Sequence, residues 1–88
     1  EGEHAEAALW LGYIYLYDNK IVQDYSEALK WLEKAIEWGD YGAAFYIGKM
    51  YDFGYGVEKN REEAFKWYKL GAEHGIGVAQ SRLGHMYS

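Results

Sequence analysis

The 88-residue chain contains no cysteine, no proline and no threonine. Without cysteine there can be no disulfide and no thiolate metal site. Threonine is missing and isoleucine and valine are few, so the β-branched residues that favour strands are scarce. No run of like charge is long enough to form a polybasic or polyacidic tail. The formal net charge of −5, with acids spread along the chain, argues against nucleic acid as a partner. Phosphate neutralisation needs a basic stripe. No apolar stretch approaches the ~20 residues of a membrane-spanning helix, and no signal-peptide pattern is present. The chain starts with Glu rather than Met and stops one helix into a repeat, which is expected of a segment of a longer protein.

What is abundant is aromatic: ten Tyr, four Trp and three Phe, in a chain that is 50% hydrophobic. Large rings give much burial per residue, which suits a small core. Ala, Glu, Lys and Leu make up most of the remainder, and all are good helix formers. The composition predicts an all-α fold.

Ala43–Gly75 laid over Ala7–Gly39, 36 residues earlier, repeats Ala7/Ala43, Ala8/Ala44, Gly12/Gly48, Tyr15/Tyr51, Glu27/Glu63, Ala28/Ala64, Lys30/Lys66, Trp31/Trp67, Glu37/Glu73 and Gly39/Gly75. Repeats of this length mean a stacked solenoid. The expected units are repeat one over about 5–40, repeat two over about 41–76 and a partial repeat three over 77–88, in one domain spanning 1–88. A first helix, about His4 to Tyr17, carries Ala8, Leu11, Gly12 and Tyr15 on one stripe. Trp10, Ile14 and Tyr17 form a second stripe, so neighbours are expected on both sides. Asp24 with Glu27 has the spacing of an N-cap and its reciprocal carboxylate. The second helix runs to about Trp38 with Ala28, Trp31, Leu32 and Ala35 inward, and Gly39 closes it. In repeat two, Asp40 caps a helix to about Phe53, and Asn60 with Glu63 caps a fourth that ends at Gly75. Glu62 and Lys66 form an i, i+4 pair there. A fifth helix starts near Gly77.

Gly12, Gly48 and Gly84 fall inside helices, where glycine costs about 1 kcal/mol relative to alanine. The compensation expected is close approach of the paired helix, with Trp31 or Trp67 across the bare backbone. Ala-x-x-Leu/Ile-Gly-x-x-Tyr, Gly-x-Gly-Val and Ala-x-x-Trp-Tyr at this period resemble the Sel-one-like repeat (SLR) family, relatives of the tetratricopeptide repeats. The tetratricopeptide pattern fits less well, because its period is shorter and its closing proline is missing. Repeat one departs at its loop, where Asp18 and Lys20 replace the two glycines, and Leu32 stands in place of Tyr. The resemblance implies a right-handed α-α superhelix of five antiparallel helices here, acting as an adaptor or scaffold in protein complexes.

Reaction chemistry finds little support. Gly54-x-Gly56 lacks the preceding strand, third glycine and Lys-Ser/Thr of a phosphate loop. His4, His74 and His85 share no helix face at metal-ligand spacing. Ser26, Ser81 and Ser88 have no positioned His or Lys to activate them. Glu62-Glu63 lies at a helix start, where acids favour the dipole. The expectation is therefore a non-enzyme with no metal and no cofactor.

The residues that vary between repeats are the informative ones. In such a solenoid the first helix of each repeat lines the concave surface. Its face between the apolar stripes carries Leu9, Tyr13 and Leu16, then Phe45, Lys49 and Asp52, then Ser81, His85 and Ser88. Tyr13, Lys49 and His85 share one register and should form a column. Variable chemistry on a constant frame is what a recognition surface needs. The reading is a protein–protein interaction module holding a partner protein or peptide through Leu9, Tyr13, Leu16, Phe45, Lys49, Asp52, Ser81 and His85. The alternatives are a small-molecule or sugar module using exposed rings, or a spacer without ligand. Leu83, Gly84 and Tyr87, with no following helix to cover them, suggest end-to-end contact between copies.

Overall fold

The computed structural model describes residues 2–17 and 25–87. The helices are α1 (Gly2–Tyr17), α2 (Tyr25–Glu37), α3 (Gly42–Phe53), α4 (Arg61–Glu73) and α5 (Gly77–Tyr87). No strand occurs among the described residues. The expected Asp24 cap lies outside them.

The helix ends follow from a few hydrogen bonds. At the end of α2, Gly39 has φ +103° and its N–H donates to Ile36 O at 2.9 Å, while Asp40 N–H donates to Ala35 O at 2.8 Å. Gly75, at φ +83°, repeats both bonds after α4, to Ala72 O at 3.0 Å, with Ile76 N–H to Gly71 O at 3.0 Å. This is the Schellman arrangement, which asks for a left-handed residue at that position. Asn60 Oδ1 accepts from Glu63 N–H at 3.1 Å and caps α4. The reciprocal half of the expected box is absent: Asn60 N–H donates to Tyr51 O at 2.8 Å, and Glu63 Oε2 takes Lys66 Nζ at 3.3 Å. Lys66 thus pairs with Glu63 rather than with the expected Glu62. Before α3, Asp40 Oδ1 accepts from Gly42 N–H at 3.0 Å, and Tyr41 between them is already helical in φ and ψ.

Packing follows small residues. Ala5, Ala8, Gly12 and Leu16 of α1 are buried, as are Ala28, Leu32 and Ala35 of α2. In repeat two the buried set is Ala43, Ala44, Ile47, Gly48 and Met50 of α3, with Ala64, Tyr68 and Gly71 of α4. The glycine notches exist, but tryptophan does not fill them. A Cβ on Gly12 would lie 2.7 Å from Leu32 Cδ2, and one on Gly48 would lie 2.6 Å from Tyr68 Cδ1. Leu32 and Tyr68 each follow the tryptophan by one residue, and a helix turns by about 100° per residue. That single step carries the ring of Tyr68 into the notch and leaves Trp31 and Trp67 half-buried along the edge of the core.

A second close approach joins the repeats. Gly56, at φ +73°, sits where a Cβ would collide with the Cβ of Tyr25, whose ring stacks on Tyr55 at 5.8 Å and 12°. The loop of repeat two is thereby clamped onto the start of α2.

Each helix packs on the next in sequence, and in addition α1 touches α3 and α3 touches α5, whereas α2 and α4 do not meet. The row α1–α3–α5 is therefore the tighter, inner row of the stack. The molecule measures 36 × 28 × 17 Å.

Candidate binding surface

The inner row carries a continuous run of rings. On α1, Trp10 and Tyr13 are 60% and 40% exposed and meet edge-to-face at 6.0 Å. Tyr13 reaches Tyr17 at 4.9 Å and Tyr46 of α3 at 5.7 Å, and Tyr46 adjoins Phe45 at 5.2 Å. Such edge-on and tilted pairs are the favoured ring geometries. Lys49 Nζ stands over Tyr17 at 5.3 Å and over Phe45 at 5.6 Å, so its charge is held against two ring faces. Burial, followed by the repulsion that ionised Tyr13 and Tyr17 would exert at alkaline pH, pushes the Tyr46 phenol above its usual pKa.

Two hollows flank α3. The first, about 330 Å³ between α1 and α3, is lined by Glu6, Leu9, Trp10, Tyr13, Asp40 and Tyr46. The second, also about 330 Å³, lies against α5 and is lined by Phe45, Val78, Ser81, Arg82 and His85.

The sequence-predicted residues distribute as follows. Leu9 and Tyr13 share the first hollow, and Phe45, Ser81 and His85 share the second. Lys49 lies between them, over Tyr17 and Phe45. Asp52 is turned toward the helix pair: its Oδ2 accepts from the Tyr68 hydroxyl at 3.2 Å. Leu16 is a correction. It is only 1% exposed and belongs to the core, so it cannot line a surface. Residue 16 falls on the buried stripe of Ala5, Ala8 and Gly12, one turn further on. Ser88 lies outside the described residues.

Trp10, Tyr46 and Arg82 were not among the expected contact residues. They occupy one register, 36 residues apart, next to the Leu9, Phe45 and Ser81 register. Their signal was available, since this register also changes from repeat to repeat. It was masked for Trp10, which was expected on an apolar stripe against a neighbour and instead stands in the open.

No helix among the described residues is long and apolar enough to cross a membrane. Among the same residues, no group of three or more His, Asp or Glu side chains is placed to hold a metal ion.

Comparison with known proteins bears on the same architecture. A Sel1 repeat profile matches residues 5–40, 42–76 and 77–88. The fold is similar to that of a Sel1 repeat protein from Oxalobacter formigenes, with TM-score 0.89 and 36% identity over 94% of this chain and 34% of that one. It is also similar to a protective antigen present in uropathogenic Escherichia coli strains that displays an SLR fold. There the TM-score is 0.85 and the identity 38%, over 94% of this chain and 18% of that one. The chain thus spans about a third and about a fifth of those two structures. Comparison with curated proteins gave no significant match. Three profile matches across the chain, together with these two likenesses, decide the matter: the chain belongs to the Sel1 repeat family.

Proposed function

We propose that the chain is a protein-binding module whose contact surface is the inner row of helices, from Trp10 and Tyr13 across Tyr46, Phe45 and Lys49 to Ser81 and His85. Sel1 repeats are in general protein–protein interaction scaffolds, and this chain's own residues indicate where a partner would sit. The observation that carries the reading is the exposed pair Trp10 and Tyr13, joined ring to ring with the packed Tyr46 and Phe45. Aromatic anchors that are rigid before binding lose little entropy when covered. The frame beneath them is stiff, because the notches at Gly12 and Gly48 lock each helix pair. Leu9 belongs to this surface as the apolar wall of the first hollow, while Asp52 contributes mainly by bonding Tyr68.

The test is affinity capture with the intact protein, comparing wild type with Tyr13→Ala, Lys49→Glu and the outer-side change Lys30→Glu. A partner retained by wild type and Lys30→Glu, and lost by the two inner-row variants with unchanged thermal unfolding, supports the reading. A partner retained equally by wild type and all three variants contradicts it.

A further inference from the structure

The two hollows beside α3 differ in charge. The second is lined by a cation of the chain, Arg82, with His85 beside it. The first is lined by three aromatic residues and two carboxylates, and no Lys, Arg or His lines it. Its rings are mutually ordered: Tyr13 stands edge-on to Trp10 at 6.0 Å and to Tyr46 at 5.7 Å. Asp40 is held in place, since its Oδ1 accepts from Gly42 N–H at 3.0 Å. Glu6, on α1, lines the same hollow and is exposed to solvent.

We propose that this hollow is a socket for an arginine side chain of the partner protein, with the guanidinium against the Trp10, Tyr13 and Tyr46 rings and its N–H groups toward Glu6 and Asp40. The inference rests on the partner-binding reading and names the chemistry of one contact within it. Ring faces attract cations, and a carboxylate alongside adds charge-assisted hydrogen bonds. Arginine suits both elements at once, because its flat group stacks while its fork meets carboxylate oxygens. The same face already shows the preference internally, with Lys49 held over Tyr17 and Phe45. The chain's net charge of −5 favours approach of a basic partner segment.

The experiment is an NMR titration of the labelled protein with the capped tripeptide Gly-Arg-Gly and with its citrulline counterpart, which has the same shape and no charge. The expected result is saturable movement of the Trp10 indole N–H and of the Tyr13 and Tyr46 signals by the arginine peptide. Its affinity should exceed that of the citrulline peptide about tenfold, as a charge-dependent contact requires. Glu6→Gln and Trp10→Ala should each weaken it severalfold, while Lys30→Glu should not. Equal shifts by the two peptides, or arginine shifts that spare Trp10, overturn the socket. If a captured partner still depends on Tyr13 and Lys49 in that case, the partner-binding surface stands without the socket. If the arginine peptide fills the hollow but every captured partner ignores Tyr13 and Lys49, the partner reading falls, and the partner protein falls with it as the source of the arginine.

Discussion

The Tyr68 hydroxyl donates to Asp52 Oδ2 at 3.2 Å, and the residues 36 positions earlier, Leu32 and Leu16, are both buried in the core of repeat one. The pair is apolar in one repeat and polar in the next. Tyr68 is fully buried, so its hydroxyl needs an acceptor, and Asp52 is half-buried beside it. Variation at residues 16 and 52 therefore tracks the partner across the helix pair.

Asp52→Ala should destabilise the fold by about 1–2 kcal/mol, because it strands a buried hydroxyl. In a double-mutant cycle with Tyr68→Phe, urea unfolding should give a coupling of about 1 kcal/mol. Strictly additive single changes would show that the bond contributes nothing.

Burial, followed by the charge and hydrogen bond of Asp52, holds the Tyr68 phenol well above its usual pKa, with the Arg82 charge opposing. The folded state thus keeps a proton that the unfolded chain releases near pH ~10. Stability from this group is complete below that pH and declines as pH rises beyond it. Urea unfolding between about pH 9 and 11.5 should show that decline, and Tyr68→Phe should make it shallower, leaving the smaller part due to Tyr46. A Tyr68→Phe variant with the same alkaline slope as wild type would rule the assignment out.

Gly48 and Gly84 share a register but should respond oppositely to alanine. A Cβ at Gly48 falls 2.6 Å from the Tyr68 ring, whereas one at Gly84 meets nothing within 4 Å. Gly48→Ala should lower stability by about 1–3 kcal/mol through overpacking. Gly84→Ala should raise it by up to about 1 kcal/mol through helix propensity. Calorimetric melting temperatures moving in the same direction would refute the notch.

Gly56 and Gly75 both have positive φ, +73° and +83°, but only Gly56 has a side chain against it. Gly75→Ala should cost about 1–2 kcal/mol, the penalty of a left-handed L-residue. Gly56→Ala should cost more, because the added methyl also displaces Tyr25 and its stacking on Tyr55. Equal losses in thermal unfolding would mean that the clamp between the repeats carries no energy.

Much of this architecture is legible in one dimension. The 36-residue echo, the inward alanines, Gly39 and Gly75 at the helix ends and Asn60 at the start of α4 all express local rules of period, backbone sterics and capping. Such rules act within a turn or two, so neighbouring residues suffice to state them. The candidate surface was legible in part: Leu9, Tyr13, Phe45, Lys49, Ser81 and His85 lie on it or line its hollows, whereas Leu16 is interior.

Local periodicity therefore determined which segments are helices, where they end and which small residues face inward. Only the packing of one helix on another decided that Tyr68 and Leu32, not Trp67 and Trp31, enter the glycine notches, that Leu16 is covered, and that Trp10 is open. The physical reason is angular. A few tens of degrees of rotation exchange a notch-filling side chain for its neighbour, and that rotation is set by contacts between residues far apart in the chain.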